Sequence, residues 1–186
     1  MRWDSLFGDL DAQWHAATQE ELERQVNELA RIELAQTRFS EGLRGSVGEP
    51  VAVTLTTGVV HHGTVRRVEP EWLLLQEESR FLLIPLTKVV KVLGMGPGRR
   101  AGEGRVTHSL AAALRVLARN RAAVLLELHT QPPSAVRGVI DHVGADFLAV
   151  AQMADGVSRV GGNRQGNVVV PFEGLLAIMS SAENEL

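Results

Sequence analysis

Six arginines crowd one stretch of a chain whose net charge is −3. Between Met95 and Arg121, the residues Arg99, Arg100, Arg105, Arg115, Arg119 and Arg121 meet a single acid, Glu103. Guanidinium groups at this density grip phosphates through charge-assisted hydrogen bonds without reading a base sequence. Arg115 and Arg119 are four apart, so on a helix they share one face. The stretch is therefore the candidate nucleic-acid contact, with RNA as the partner it would suit. The competing reading is that these charges are solvated, or that they pair with residues 1–43, where nine acids outnumber four basic residues.

Other chemistry is thinly represented. Cysteine and tyrosine are both absent, which removes disulfides, thiolate metal sites, cysteine nucleophiles and tyrosine acids. The histidines are His15, His61, His62, His108, His129 and His142. His61 and His62 are neighbours on an expected strand and point to opposite faces, so they cannot easily share one metal. No His-x-x-x-His spacing or carboxylate cluster supports a metal site. The sequence holds no Gly-x-Ser-x-Gly, phosphate loop or His-Glu-x-x-His. The glycine pairs Gly96/Gly98 and Gly161/Gly162 lack the Lys-Ser/Thr that a phosphate loop needs. No catalytic residue, cofactor or metal is expected, and the chain reads as a binding protein rather than an enzyme.

The elements that must position these residues fall into three textures. Up to about Leu43 the chain is charged and helical. Trp3, Leu6, Phe7, Leu10 and Trp14 follow the spacing of a short amphipathic helix. These five are candidate anchors for a partner's groove, or they dock on the rest of this chain. Leu22, Val26, Leu29, Ile32, Phe39 and Leu43 then line one side of a helix expected over Gln19 to Leu43, with near-heptad spacing that suits pairing between two copies. From Gly48 to Gly94 the pattern turns to strands. Val51, Val53 and Leu55 alternate with Ala52 and Thr54, and Trp72–Leu75 and Phe81–Ile84 flank a polar turn. Pro85 cannot donate to a ladder and should end its strand. Residues 95–106, dense in glycine and arginine, read as a linker. Leu110, Leu114 and Leu117 then mark a second helix.

The third texture repeats the second. Val124, Leu126 and Leu128 mirror Val51, Val53 and Leu55. Gly138-Val139-Ile140 mirrors Gly63-Thr64-Val65, and Val170-Pro171-Phe172 mirrors Ile84-Pro85-Leu86. Spacing between the copies grows only in loops, as a duplication requires. One unit reads Val-x-Val-x-Leu-x-x-Gly, then Gly-x-Val, then a leucine-rich strand and a closing pair. This resembles the Sm-like fold, an SH3-like small β-barrel preceded by a helix. The resemblance covers Gly48 to Gly94 and, more loosely, Ala122 to Ser180. The family's RNA site uses an Asp-x-x-x-Asn segment and an Arg-Gly step. Here Glu69 and Gly144 stand at the acidic position, and Ile84-Pro85-Leu86 and Val170-Pro171-Phe172 replace the Arg-Gly step. The uridine-reading residues do not carry over.

The expected fold is mostly β with N-terminal helices (α+β), as two tandem Sm-like barrels each preceded by a helix. Its parts are a helical segment over 1–45, a first barrel over 46–94, a linker over 95–106, a helix with a second barrel over 107–180, and a tail over 181–186. No apolar run approaches the roughly 18 residues of a membrane span, and acids near the start exclude a signal peptide, so a cytoplasmic protein is expected. Only Lys88 and Lys91 are lysines against 17 arginines, a bias of GC-rich bacterial coding sequences. The favoured function is protein–protein interaction and homo-oligomerisation through barrel edges and the N-terminal helix; the alternative is RNA binding through residues 99–121.

Overall fold

The computed structural model describes residues 19, 21–32, 34–96, 107–153 and 164–181. The chain divides into two compact units, Met1–Arg38 and Phe39–Leu186. In the first, residues 21–32 and 34–36 are helical (α1). Leu22, Val26, Leu29, Ile32 and Leu34 lie exposed along it. The helix expected to run on to Leu43 is interrupted at 37–38. There the Thr37 amide donates to the Leu34 carbonyl three residues back, at 3.2 Å. That tightened last turn ends the α-helical ladder.

The second unit opens with α2 (Phe39–Arg44), whose Leu43 is fully buried. Five strands follow: β1 (Pro50–Leu55), β2 (Val60–Val68), β3 (Trp72–Glu77), β4 (Arg80–Pro85) and β5 (Val89–Leu93). A 3-10 turn at Leu86–Lys88 follows Pro85, as the missing amide there requires. Then come α3 (Leu110–Arg119), β6 (Ala123–Leu128), β7 (Ser134–Val143), β8 (Phe147–Met153), β9 (Arg164–Pro171) and β10 (Leu175–Ser181). Helix α3 begins at Leu110 because Ser109 caps it, accepting from the Ala112 amide at 3.2 Å.

All ten strands join one antiparallel sheet in the order β5-β1-β2-β3-β4-β10-β6-β7-β8-β9. The first five and the last five therefore have the same internal order. Their details also repeat. Val51 faces Gly63 as Val124 faces Gly138. The register slips between Val65 and Arg67, and again between Ile140 and His142. Leu86 N donates to Glu71 O at 2.8 Å, and Phe172 N to Asp146 O at 2.7 Å. The sheet is open rather than closed, because β4 pairs with β10 and not with β5.

That pairing interlocks two cores. One holds Leu43, Val53, Leu55, Val65, Leu75 and Leu82 from the first half, and it takes in Leu176 and Ala177 from β10. The other holds Leu114, Leu117, Leu126, Ile140, Leu148 and Ile178 from the second half, and it takes in Trp72, Leu74, Phe81 and Leu83 from β3 and β4. Successive residues of a strand point to opposite faces. Strands β3 and β4 thus feed one core with each face, which is why Trp72–Leu75 and Phe81–Ile84 are apolar without alternation and buried throughout.

Candidate functional site

Half of the arginine stretch, Arg115, Arg119 and Arg121, falls among the described residues. Arg115 and Arg119 are exposed on α3, one turn apart, and Arg121 is exposed just beyond it with φ 47°. The Arg115 side chain is committed locally, since its Nη2 donates to the Gly144 carbonyl at 3.1 Å and ties α3 to the β7–β8 turn. Arg99, Arg100 and Arg105 lie outside the described residues, as do Trp3, Leu6, Phe7, Leu10 and Trp14.

Glu69, the residue at the acidic position of the Sm-like pattern, has a structural task. It is 4% exposed; Arg67 Nε donates to its Oε1 at 2.8 Å, and the His108 amide to its Oε2 at 3.4 Å. The Arg67 guanidinium also sits 5.8 Å from the Trp72 ring centroid, within cation–π range. Trp72 Nε1 donates to the His108 carbonyl at 2.9 Å, and Glu71 Oε2 accepts from the Leu110 amide at 2.8 Å. The β2–β3 turn of the first half thereby seats and caps the first turn of α3. A carboxylate there also suits the helix dipole.

His61 is buried and His62 exposed, as their adjacency on a strand requires. His61 Nε2 lies 3.1 Å from Glu127 Oε2, with side chains 8% and 22% exposed. This contact joins β2 to β6, away from the β4–β10 ladder, and so forms a second tie between the halves. Removing the carboxylate strands a buried imidazole. Glu127→Ala is expected to lower the unfolding free energy by about 1–3 kcal/mol, read from urea melts. Among the described residues, no group of three or more His, Asp or Glu is placed to hold a metal, and no helix is long and apolar enough to cross a membrane.

The barrel edges expected to mediate oligomerisation are, among the described residues, the two ends of the sheet. β5 and β9 each have one neighbour, so each presents a row of open backbone donors and acceptors. Both carry exposed apolar side chains: Val90 at 66%, Leu93 at 59% and Val169 at 59%. By register, Lys91, Val92 and Leu93 on β5 stand where Ala177, Ile178 and Met179 stand on β10, because they face Thr54, Val53 and Ala52 as the latter face Glu127, Leu126 and Leu125. Likewise Val168, Val169 and Val170 on β9 stand where Leu82, Leu83 and Ile84 stand on β4. Leu83 and Leu176 are buried at the junction, whereas Val169 and Val90, at the matching places, are open.

Compared with known proteins, the chain matches no family model, no curated protein and no solved structure.

Proposed function

We propose that this chain is a non-enzymatic assembly module, built from two tandem small barrels of the Sm-like kind, that forms a homo-oligomer by joining β9 of one copy to β5 of the next. The observation that carries the reading is the internal junction. β4 and β10 pair with Ile178 opposite Leu83 and Met179 opposite Leu82, and their counterparts at the two free ends are unpaired and apolar. Repeating the junction between copies would set Val92 opposite Val169 and Leu93 opposite Val168. It would cover Val90, Leu93 and Val169 at once, converting exposed apolar area into buried area at roughly 25 cal/mol per Å². Because the two ends differ, the contact is head-to-tail, which closes into a ring or grows as a filament. Lys91 replaces Ala177 in this scheme. Its stem can lie along the ladder with the ammonium in water, and its charge keeps the free edge from indiscriminate pairing. The exposed stripe of α1 adds a second surface of the same kind.

Light scattering at micromolar concentration tests this directly. The expected result is a mass several times 20.2 kDa for the natural chain, falling to the monomer for Val90→Glu and for Val169→Glu with far-UV circular dichroism unchanged. Because the chain has no cysteine, Val92→Cys mixed with Val169→Cys should give a disulfide-linked dimer under mild oxidation. A monomeric natural chain would overturn the reading. So would an oligomer that survives both edge substitutions and dissociates on Leu22→Glu with Leu29→Glu, since α1 alone would then hold it.

A further inference from the structure

A concavity lies at the junction between the halves, where Arg80 of the first meets residues of the second. About 480 Å³ in volume, it is lined by Arg80 of β4, Arg137 of β7, Ser180 of β10, and the apolar side chains of Leu125 and Met179 among others. That volume lies within the range of sites for small molecules. Register places the two arginines on one face. Arg137 is opposite Leu125, Leu125 opposite Met179, and Met179 opposite Leu82, with Arg80 two residues before Leu82 on the same strand. Cross-strand partners and residues two apart share a face. Three strand spacings across and two residues along separate Arg80 from Arg137, about 16 Å between backbones, which two long side chains leaning inward can bridge through a group held between them.

Both arginines are exposed, and among the described residues neither makes an ion pair or side-chain hydrogen bond. Glu77 stands opposite Arg80 across the β3–β4 turn but forms no ion pair with it. Ser180 is 8% exposed and lines the pocket, and its hydroxyl has no partner among the described residues. Two planar, unpaired guanidiniums and a hydroxyl are the donor set that the oxygens of a phosphate accept.

The equivalent place in the first half has no such set. There His62 stands for Arg137, Leu93 for Met179 and Gly94 for Ser180, around a wider opening that Arg80 borders together with Glu77 and Glu78. Arg137 and Ser180 are thus peculiar to the junction, and only there does Arg80 have a second arginine across from it.

We propose that the junction pocket binds a small-molecule phosphate monoester of nucleotide size, the phosphate held by Arg80, Arg137 and Ser180 and the organic body resting on Leu125 and Met179. Isothermal titration of the full chain at low salt, with AMP, inorganic phosphate and adenosine as probes, tests it. AMP is expected to bind with a dissociation constant below about 1 mM, inorganic phosphate more weakly, and adenosine not measurably. Arg80→Ala and Arg137→Ala should each weaken AMP at least ~10-fold, and Ser180→Ala ~3-fold or more. Arg119→Ala, on α3, should bind as the natural chain does. Urea melts of each variant establish that it is folded. Absence of AMP binding at that concentration overturns the proposal. So does binding that is unchanged by both arginine substitutions, or adenosine binding as tightly as AMP.

Discussion

Leu83→Asp is expected to unfold both halves of the sheet together. Leu83 belongs by sequence to the first half, yet its side chain is 2% exposed inside the core that Leu114, Leu126, Ile140 and Ile178 build in the second. Its strand neighbours Leu82 and Ile84 point the other way, into the first core. A carboxylate at this position has no cation beside it, and its backbone cannot move without breaking the β4–β10 ladder. Burying an unpaired charge belongs to the small class of changes that cost about 4–5 kcal/mol or more. Against a total stability of about 5–15 kcal/mol for an ordinary domain, that is about a third of the stability at the high end and all of it at the low end. Leu83→Ala is the graded version, expected to cost about 2–5 kcal/mol and to leave a single urea transition at a lower midpoint. The control lies within the same chain: Val169, at the matching place on β9, is 59% exposed, so Val169→Asp should change the monomer's stability by no more than about 0.5 kcal/mol. Two separate transitions in Leu83→Ala, one of them unshifted, would mean that the halves do not share a core.

Much of this architecture was legible in the residues. The alternation of Val51, Val53 and Leu55, the break at Pro85, and the recurrence of Gly63-Thr64-Val65 as Gly138-Val139-Ile140 fall where the sheet has them, because period-2 burial and turn chemistry are local properties. What was not legible is which strand meets which across the duplication. A repeat predicts two like units; it does not say that the fourth strand of one pairs with the fifth strand of the other. One signal was present. Four consecutive apolar residues in both β3 and β4, where β1 alternates, mark strands covered on both faces, and only packing against the second half covers the extra face. The site was less legible still. Arg80 and Arg137 are separated by 57 positions and belong to no motif, and they line one concavity only because β4 joins β10. The arginines dense in sequence, by contrast, drew attention through number alone. Of those described, Arg115 holds a turn, and Arg119 and Arg121 are exposed.

Gly63→Ala and Gly138→Ala should each be strongly destabilising, and for the same reason. These residues sit on β2 and β7 two positions before the register slip, where each strand bends hard over its neighbour. A Cβ on Gly63 would lie 2.5 Å from the Gln76 carbonyl oxygen and 3.1 Å from its carbon. A Cβ on Gly138 would meet the Ala151 carbonyl oxygen, the position equivalent to Gln76, and also Val150 Cγ1 at 2.6 Å. In both halves the obstacle is backbone, which cannot swing aside as a side chain can. It moves only if β3 or β8 shifts relative to its partner, and a slip of one residue there would turn every core side chain of that strand outward. Neither glycine has a φ in the left-handed region, so the requirement is close approach and not backbone freedom. Overpacking at such a site costs up to about 3 kcal/mol, and Gly138 should be the worse of the two because Val150 adds a second collision. Gly96→Ala, where a Cβ would meet nothing nearer than Ser46 Oγ at 4.0 Å, should be close to neutral in the same urea series. If Gly63→Ala and Gly138→Ala melted with Gly96→Ala, the bend would be tolerating a side chain, and the glycines of the duplicated motif would need another explanation.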